Sequence, residues 1–222
     1  MRIALLGGTG NIGEGLALRW APKHAIVIGS RSEEKAEQAA ASCEERLRAS
    51  GVVCELAGKE NVQAIENCDV VVVALPYEHA IPTVNSIRAS LNSSAIVLSP
   101  VVPMTKDGFM RYVPRAPYGS AAMEIKDMLP DHDVAAAFHT TPAARLIDLT
   151  DTLGLDVLVC GAEASKQTVM RLVEDIDGLT PFDAGPLEAS PMIESITPLL
   201  INLSARNRIK NSSIRVIAQR ID

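Results

Sequence analysis

The chain carries Gly8-Thr9-Gly10-Asn11-Ile12-Gly13 between an apolar run at Ile3–Leu6 and a second apolar stretch through Leu16, Ala17 and Leu18. Glycines at this spacing allow a tight turn at Gly8, a close approach of the backbone to a phosphate group and close packing of a helix against a strand. A helix amino terminus adds free N–H groups and a positive dipole. Because the motif lies between a predicted strand and a predicted helix, we interpret it as a dinucleotide-binding loop and not as a purely structural turn.

Short apolar runs alternate with longer helix-favouring segments along the chain. This alternation predicts βαβ units and a parallel sheet. The runs are apolar on both faces, as expected when helices cover both sides of the sheet. The sequence therefore predicts an α/β fold of the Rossmann type, with a doubly wound, mostly parallel sheet. The predicted strands are Ile3–Leu6, Ala25–Ile28, Val52–Leu56, Val70–Leu75, Ala95–Leu98, Val134–Phe138, Leu155–Cys160 and Thr180–Asp183.

The predicted helices extend this pattern to the carboxyl terminus. They are Glu33–Arg48, Ala144–Thr152, Ser165–Ile176 and an apolar helix at Ser190–Arg206 with a kink at Pro198. No linker rich in glycine, serine or proline interrupts them. We expect a nucleotide-binding domain over residues 1–187 and a small helical extension over residues 188–222.

Composition excludes several classes of protein. A net charge of −6 and a pI near 5.3 argue against a nucleic-acid partner, since such affinity depends on clustered Lys and Arg. The apolar runs are too short to span a bilayer, and no basic stretch with a long apolar region opens the chain, so we expect a cytoplasmic protein. The four cysteines are scattered singly, which predicts reduced thiols and no metal site. Hydrolase and kinase motifs are also missing from the sequence.

The residues after the second predicted strand indicate the choice of dinucleotide. A site for NAD would place Asp or Glu there to bind the ribose 2′-OH, whereas this chain has Ser30-Arg31. A hydroxyl, a guanidinium group and Lys35 nearby can bind a 2′-phosphate, so NADP is favoured. The alternative is that Ser30 and Glu33 cap the next helix and Arg31 is simply solvated.

Three proline-containing loops follow later predicted strands, where an open α/β sheet binds its ligand. They are Leu75–His79, Ser99–Pro103 and His139–Ala143. Their apolar residues can form the dry wall that hydride transfer to a nicotinamide ring requires. For His79 and His139, an ordinary loop histidine bound to backbone groups is an equal alternative. No Lys or Tyr stands out as the general acid of a carbonyl reductase.

Taken together, these motifs resemble the coenzyme F420-dependent NADP reductase family over nearly the whole chain. The glycine motif is shared by many enzymes, and the later blocks are more specific. The matching blocks are Ala4–Gly13, Gly29–Arg31, Glu34–Glu37, Glu78–Ile81, Ser99–Pro103, His139–Arg145, Asp177–Leu179 and Asp183–Leu187.

The resemblance implies an F420H2:NADP oxidoreductase that acts as a homodimer. It would move a hydride directly between the 5-deazaflavin ring of coenzyme F420 and C4 of the nicotinamide of NADP, without a catalytic side chain. Cofactor contacts follow by motif. Thr9, Gly10, Asn11 and Ile12 would bind the pyrophosphate, Ser30, Arg31 and Lys35 the 2′-phosphate, and Leu75, Pro76, His79, Val102 and Ala143 would lie beside the nicotinamide.

Two other functions stay open on sequence alone. Another NADP-dependent reductase, of the pyrroline-carboxylate or imine reductase type, would need a longer helical domain than the 35 residues after Leu187. A redox sensor would bind NADP(H) without turnover. The basic residues of the tail either steer the anionic deazaflavin cofactor or are simply solvated. They are Arg206, Arg208, Lys210, Arg215 and Arg220.

Overall fold

The structure, a computed structural model, describes residues 1–217 and Gln219. Its strands are β1 Arg2–Leu6, β2 Ala25–Ser30, β3 Leu56–Glu60, β4 Val70–Val73, β5 Ile96–Ser99, β6 Met104–Asp107, β7 Phe109–Tyr112, β8 Val134–Ala136, β9 Leu155–Gly161 and β10 Leu179–Asp183. Its helices are α1 Asn11–Trp20, α2 Glu33–Ala49, α3 Asn61–Ala64, α4 Tyr77–Ile87, α5 Ala121–Met128, α6 Ala143–Ile147, α7 Glu163–Glu174 and α8 Ser190–Asn207.

Eight strands form one sheet in the order β10-β9-β8-β5-β4-β1-β2-β3. All neighbouring strands are parallel except β8 and β9, which are antiparallel. The prediction of a doubly wound, mostly parallel sheet is therefore confirmed. The strand order reverses between β1 and β4, and in such sheets the crevice at that reversal, outside the carboxyl ends of the strands, is where ligands bind.

The core lies on both faces of the sheet because strand residues are apolar on both sides. Ile3 and Leu5 pack with α1, α2 and α7 on one face. Ala4 and Leu6, the alternate residues of β1, pack with α4 and α5 on the other. Both faces are fully buried at β1, so its carboxyl end is rigidly placed for the glycine loop that follows.

The third strand was predicted in the wrong place. The apolar run Val52–Leu56 was predicted as a strand, but β3 begins only at Leu56, and Val53 is 91% exposed. Residues of β3 pair with β2, and α2 crosses β3 closely at Gly58, where a Cβ would be 2.1 Å from the Glu37 backbone nitrogen. The short strand therefore depends on a tertiary contact and not on β-branched residues.

A two-stranded hairpin, β6–β7, follows the Ser99–Pro103 loop and was not predicted. Its turn is at Gly108, whose φ is +69°, and the Asp107-Gly108 pair is a sequence signal for such a turn. The hairpin is tied to α8 because the Met110 backbone both donates to and accepts from the Asn202 side-chain amide, at 2.8 and 2.7 Å.

The amino-terminal part of α8 packs into the core, and the residues after α8 turn back along the molecule. Arg208 ends the helix with φ of +55°. The Ser213 hydroxyl donates to the Thr140 carbonyl at 2.8 Å, and the Asp156 backbone N–H donates to the Ile214 carbonyl at 3.3 Å. The tail is thus attached to the rest of the molecule at Ser213 and Ile214, while Arg208 and Lys210 are exposed. Arg220 lies outside the described residues, within which no helix has the length and apolarity to cross a membrane.

Candidate functional site

Five loops meet along the carboxyl edge of the sheet, in an order set by the strand order. From β2 through β1, β4 and β5 to β8, they begin near Ser30, Gly7, Ala74, Pro100 and Ala137. Because parallel strands end at the same edge, residues far apart in sequence lie side by side there. The predicted contacts for a 2′-phosphate, a pyrophosphate and a nicotinamide ring occur in this same spatial order.

The glycine loop is held against the loop that follows β4. Gly7 has a φ of +79°, and a Cβ on it would be 2.6 Å from both the Ala74 carbonyl oxygen and Leu75 Cδ2. Gly8 lies in the tight turn as predicted: the Gly10 N–H donates to the Gly7 carbonyl at 2.8 Å, and a Cβ on Gly8 would be 2.8 Å from Ile28 Cγ2. The left-handed backbone of this turn is at Gly7. Gly13 performs its predicted role, since its Cβ would be 2.6 Å from the Gly8 Cα.

The amino terminus of α1 presents free donors to this edge. Gly10 accepts from Glu14 N–H at 2.8 Å, and no side chain caps the helix. Within the described chain, the backbone N–H groups of Asn11 and Ile12 donate to no protein acceptor. Thr9, Gly10 and Asn11 are exposed. Such a terminus is suited to an anionic group.

A cavity of about 650 Å³ opens beside the glycine loop. Among the predicted contact residues, it brings together Thr9, Ser30, Arg31, Lys35, Leu75 and His79. The remaining lining residues were not predicted. They are Gly7, Ser32, Asn61, Pro82, Thr83 and Ser86.

One end of this cavity is cationic and rich in hydroxyl groups. Arg31 and Lys35 are exposed there, next to Ser30 and Ser32. The helix cap is Ser32 and not Ser30, because the Ser32 hydroxyl accepts from the Lys35 backbone N–H at 3.5 Å. The alternative in which Ser30 caps α2 is therefore wrong. Among the described residues, no carboxylate lines the cavity, so their side chains would not repel a dianionic phosphate.

The other wall of the cavity is one face of α4. The segment at Leu75–His79 was predicted as a loop, but α4 already begins at Tyr77. His79, Pro82, Thr83 and Ser86 line the cavity together. Their spacing of three, four and seven residues from His79 is the helical repeat, and this sequence signal could have identified them.

Six predicted contact residues do not line the cavity. Gly10, Asn11 and Ile12 form the start of α1, and Pro76 precedes α4. Val102 lies in the segment after β5, half-buried, and Ala143 is the first residue of α6, also half-buried. Their roles as cofactor contacts stay predictions.

A second cavity, of about 240 Å³, lies between the His139–Pro142 segment, α8 and the tail. It is lined by His139, Thr140, Thr141, Pro142, Thr197, Leu200, Ile201, Ser204, Asn211 and Ser212. The Thr197 hydroxyl on α8 donates to the His139 carbonyl at 2.8 Å. The His139–Pro142 segment is thus attached to α8 on one side and leads directly into α6 on the other.

His139 is buried in this wall with its ring unsatisfied. Its side chain is 7% exposed, and neither ring nitrogen has a hydrogen-bond partner among the described residues. Burial lowers the pKa of His139 to about 3, so the imidazole is neutral near pH 7. The Thr141 hydroxyl is likewise buried without a partner in the described chain. Buried polar groups of this kind are normally satisfied by a ligand or by water.

The other aromatic and acidic groups near the site are engaged elsewhere. The Tyr77 hydroxyl donates to Glu124 Oε2 at 2.7 Å, and the Arg115 guanidinium covers its ring. Burial and the hydrogen bond to Glu124 raise the pKa of Tyr77 to about 12. Within the described residues, no cluster of His, Cys, Asp or Glu has the arrangement of a metal site.

Comparison with known proteins places the chain among its relatives. The family model described as NADP oxidoreductase, coenzyme F420-dependent, matches residues 2–103. The F420-dependent NADP reductase of Methanocaldococcus jannaschii is 41% identical over 220 residues, which cover 97% of this chain and 98% of that protein. The chain belongs to the F420-dependent NADP reductase family. The resemblance drawn from its motifs is therefore confirmed.

Other comparisons agree with this assignment. The F420-dependent NADP reductase of Methanothermobacter marburgensis is 35% identical over 222 residues, covering 97% of this chain and 98% of that protein. A crystal structure from Arthrobacter sp. FB24, of a protein provisionally assigned as an F420-dependent NADP-reductase, superposes with a TM-score of 0.80. It is 21% identical and covers 98% of this chain and all of that chain. At that identity the likeness supports the fold.

Proposed function

We propose that the chain is an F420-dependent NADP reductase that transfers a hydride between reduced coenzyme F420 and NADP. The observation that carries this proposal is the pair of cavities along one sheet edge. The larger has a cationic end next to a glycine loop, and the smaller has a buried neutral histidine. Ala143 directly follows Pro142, which lines the smaller cavity. Two cofactors bound along this edge would meet near Ala143.

The larger cavity fits NADP in its size and in its charge. Ser30, Arg31 and Lys35 would bind the 2′-phosphate, and Thr9 to Ile12 the pyrophosphate through the free N–H groups of α1. Leu75, Pro76, His79, Val102 and Ala143 would lie along the nicotinamide. A guanidinium and an ammonium in place of an acidic residue favour NADP over NAD.

The smaller cavity would receive the deazaflavin. Residues 188–222 would then form a segment distinct in role from residues 1–187, because α8 and the tail supply one wall. The exposed side chains of Arg208 and Lys210 lie on the same tail. They would steer the anionic groups of coenzyme F420 by their charge.

The reaction F420H2 + NADP⁺ → F420 + NADPH + H⁺ moves a hydride between two rings and releases one proton to water. Protein side chains would act by position alone. His139 stays neutral at physiological pH, and the raised pKa of Tyr77 keeps its phenol protonated. Holding two carbons near contact in a dry cleft can contribute several kcal/mol to lowering the barrier.

We further propose a homodimer that uses α8 and the hairpin. Large apolar side chains are exposed on these elements, including Met192, Leu199 and Leu203 of α8 and Phe109 of the hairpin. Exposed apolar side chains that cluster on a surface often mark interfaces. Sedimentation of the double variant Leu199→Glu, Leu203→Glu beside the unchanged chain tests this, since a shift to monomer is expected.

The free state of all four cysteines fits a reducing compartment such as the cytoplasm.

The test of the activity is an anaerobic mixture of the protein with reduced coenzyme F420 and NADP. We expect the deazaflavin to be oxidised in step with NADPH formation, and NAD to substitute poorly. Binding of NADP without oxidation of the deazaflavin would contradict the proposal and favour a sensor. Turnover with an imine and NADPH, but not with the deazaflavin, would favour the other reductase class.

A further inference from the structure

The short helix α6 is held by two arginines from the two helices that border the proposed NADP site. Arg19 extends from α1 and Arg46 from α2. The amino termini of these two helices carry the glycine loop and the Ser30–Lys35 end of the cavity. We propose that Arg19 and Arg46 are positioning residues for hydride transfer, a role that rests on the proposed function. They would fix α6, and hence Ala143, relative to bound NADP.

The hydrogen bonds of these arginines replace those that α6 lacks. A helix leaves its last carbonyl groups without partners, and α6 has only five residues. Arg19 Nε donates to the Leu146 carbonyl at 2.9 Å. Its Nη2 donates to the carbonyls of Arg145 and Asp148, at 3.1 and 2.6 Å.

Arg46 completes the set of capped carbonyl groups. Its Nη2 donates to the Ile147 carbonyl at 2.7 Å, and its Nη1 forms an ion pair with Glu14 of α1. The carbonyls of residues 145 to 148 are therefore all satisfied by the two guanidinium groups. A helix of this length is not stable by itself in water, so its position depends on these contacts.

Close packing fixes the distance between α6 and α1. Gly15 of α1 faces α6, and a Cβ on it would be 2.6 Å from Leu146 Cβ and 3.4 Å from the Ala143 carbonyl oxygen. Only glycine permits this approach. This contact fixes the position of Ala143 relative to α1, the helix whose amino terminus follows the glycine loop.

Helix α1 also supports the amino-terminal end of the His139–Pro142 segment. Trp20 of α1 packs edge-on against Phe138, with ring centroids 5.5 Å apart and an interplanar angle of 88°. Phe138 has a φ of +69°, which is unusual for a bulky residue and needs support from its surroundings. Helix α1 thus supports the chain on both sides of the His139–Pro142 segment, which lines the smaller cavity.

The test compares Arg19→Met and Arg46→Met with Lys23→Met. Lys23 follows α1 and donates to the Asp175 carbonyl at 2.8 Å, away from α6, so its variant controls for the loss of a cation–carbonyl contact. In the arginine variants we expect the single-turnover hydride rate to fall about 10- to 100-fold, since small misplacements have effects of this size. The NADP dissociation constant should change less than about twofold, because the two arginines are proposed to position α6 and not to bind NADP. The hydride rate of Arg19→Lys should lie between the rates of the unchanged chain and of Arg19→Met.

Two further measurements need no deazaflavin. Amide hydrogen exchange at residues 144–148 should accelerate in both arginine variants, and acrylamide should quench the fluorescence of bound NADPH more strongly. Unchanged exchange and quenching would overturn the inference, as would a rate loss that matches Lys23→Met or arises only from weaker NADP binding. If the unchanged protein fails to oxidise reduced coenzyme F420, the proposed function fails, and exchange and quenching still decide the inference. Should Arg19→Met not fold, Arg19→Lys and Arg46→Met carry the test.

Discussion

The two cavities along the sheet edge differ in the chemistry of their walls. The larger one, formed after β1, β2 and β4, presents exposed cations, hydroxyl groups and free backbone N–H groups. The smaller one, formed after β8 and by α8, buries a neutral imidazole and a threonine hydroxyl that have no partner in the described chain. The first is suited to a highly charged ligand that remains partly solvated. The second is suited to a flat, largely neutral ring system shielded from water.

This difference teaches where each part of the reaction is controlled. The larger cavity should determine the affinity for NADP and the choice between NADP and NAD, because its charge-assisted contacts form when the cofactor binds, before hydride transfer. If the two rings meet near Ala143 as proposed, the rate of hydride transfer is set there, because this rate depends on distance and not on charge. Changes in the two regions should therefore have separable effects.

The largest expected effect concerns the stability of the carboxyl-terminal region. Glu194 of α8 is fully buried and accepts from the N–H groups of Ala121 and Ala122 at the start of α5, at 3.0 and 3.1 Å. Burial raises the pKa of Glu194 to about 7, and Tyr112 lies 3.0 Å from its Oε2. A raised pKa means that the fold favours the protonated carboxyl. Its contribution is complete below about pH 4.5 and is lost as the pH rises to about 7.

The difference in unfolding free energy between the unchanged chain and Glu194→Gln should therefore fall across this pH range. A fall of about 3 kcal/mol corresponds to the shift of Glu194. The pKa of His139 is lowered, so its contribution to the free energy of unfolding changes with pH in the opposite direction. This contribution is complete above about pH 6.5 and is lost as the pH falls to about 3. Denaturant titrations at each pH, with His139→Asn in parallel, separate the two. A flat difference curve for Glu194→Gln would contradict this assignment.

A bulky side chain at Ala143 should slow hydride transfer without removing cofactor affinity. Ala143→Leu places three more carbons at the start of α6, and a displacement of about 1 Å can lower a rate about 100-fold. Single-turnover kinetics measures the effect. Ala144→Leu, at an exposed neighbouring position, is the matched control and should remain within about threefold of the unchanged rate, as surface changes usually are nearly neutral. Equal losses in both variants would indicate general damage to α6.

Loss of the guanidinium at the cationic end should affect NADP alone. Arg31→Ala should weaken NADP binding by about 1.5–3 kcal/mol, the range of a charge-assisted contact, and leave NAD nearly unchanged. Calorimetric titration with both dinucleotides gives the comparison. Arg48→Ala, exposed near the far end of α2, controls for the change in net charge. Equal weakening of NADP and NAD binding would show that Arg31 does not bind the 2′-phosphate.

The smallest effects are expected for the two histidines near the nicotinamide and the second cavity. His79→Ala and His139→Ala should each slow the isolated hydride step about tenfold or less, whereas loss of a general acid or base typically lowers a rate 10²–10⁴-fold. Rapid-mixing kinetics with saturating cofactors reports this step. A thousandfold loss with intact cofactor binding would reveal a catalytic proton.

Local patterns in the sequence predicted the fold and part of the larger cavity. The glycine motif, Ser30-Arg31 and the apolar strands are short-range signals. They were found where expected, except that β3 begins only at Leu56, the last residue of the run predicted for it. Residues placed by long-range contacts were missed. Gly58 is in a strand because β3 pairs with β2, and the same pairing brings Asn61 to the cavity.

Signals of a second kind were present but were not used. The helical spacing of His79, Pro82, Thr83 and Ser86 and the Asp107-Gly108 turn were readable in the sequence. By contrast, nothing in the sequence pairs Arg19 with the end of α6, because 126 to 129 residues separate the partners. Interactions at such separation follow only from the assembled sheet.

The central claim is that the hydride passes directly between the two rings while side chains only position them. The most direct test uses reduced coenzyme F420 that carries deuterium at the donating carbon, mixed with NADP in ordinary water, with mass and NMR analysis of the NADPH formed. We predict that the deuterium is retained at C4 of one face of the nicotinamide and that the single-turnover rate shows a primary isotope effect. NADPH without deuterium would show that the transferred hydrogen comes from solvent through a protein group, and would contradict the account.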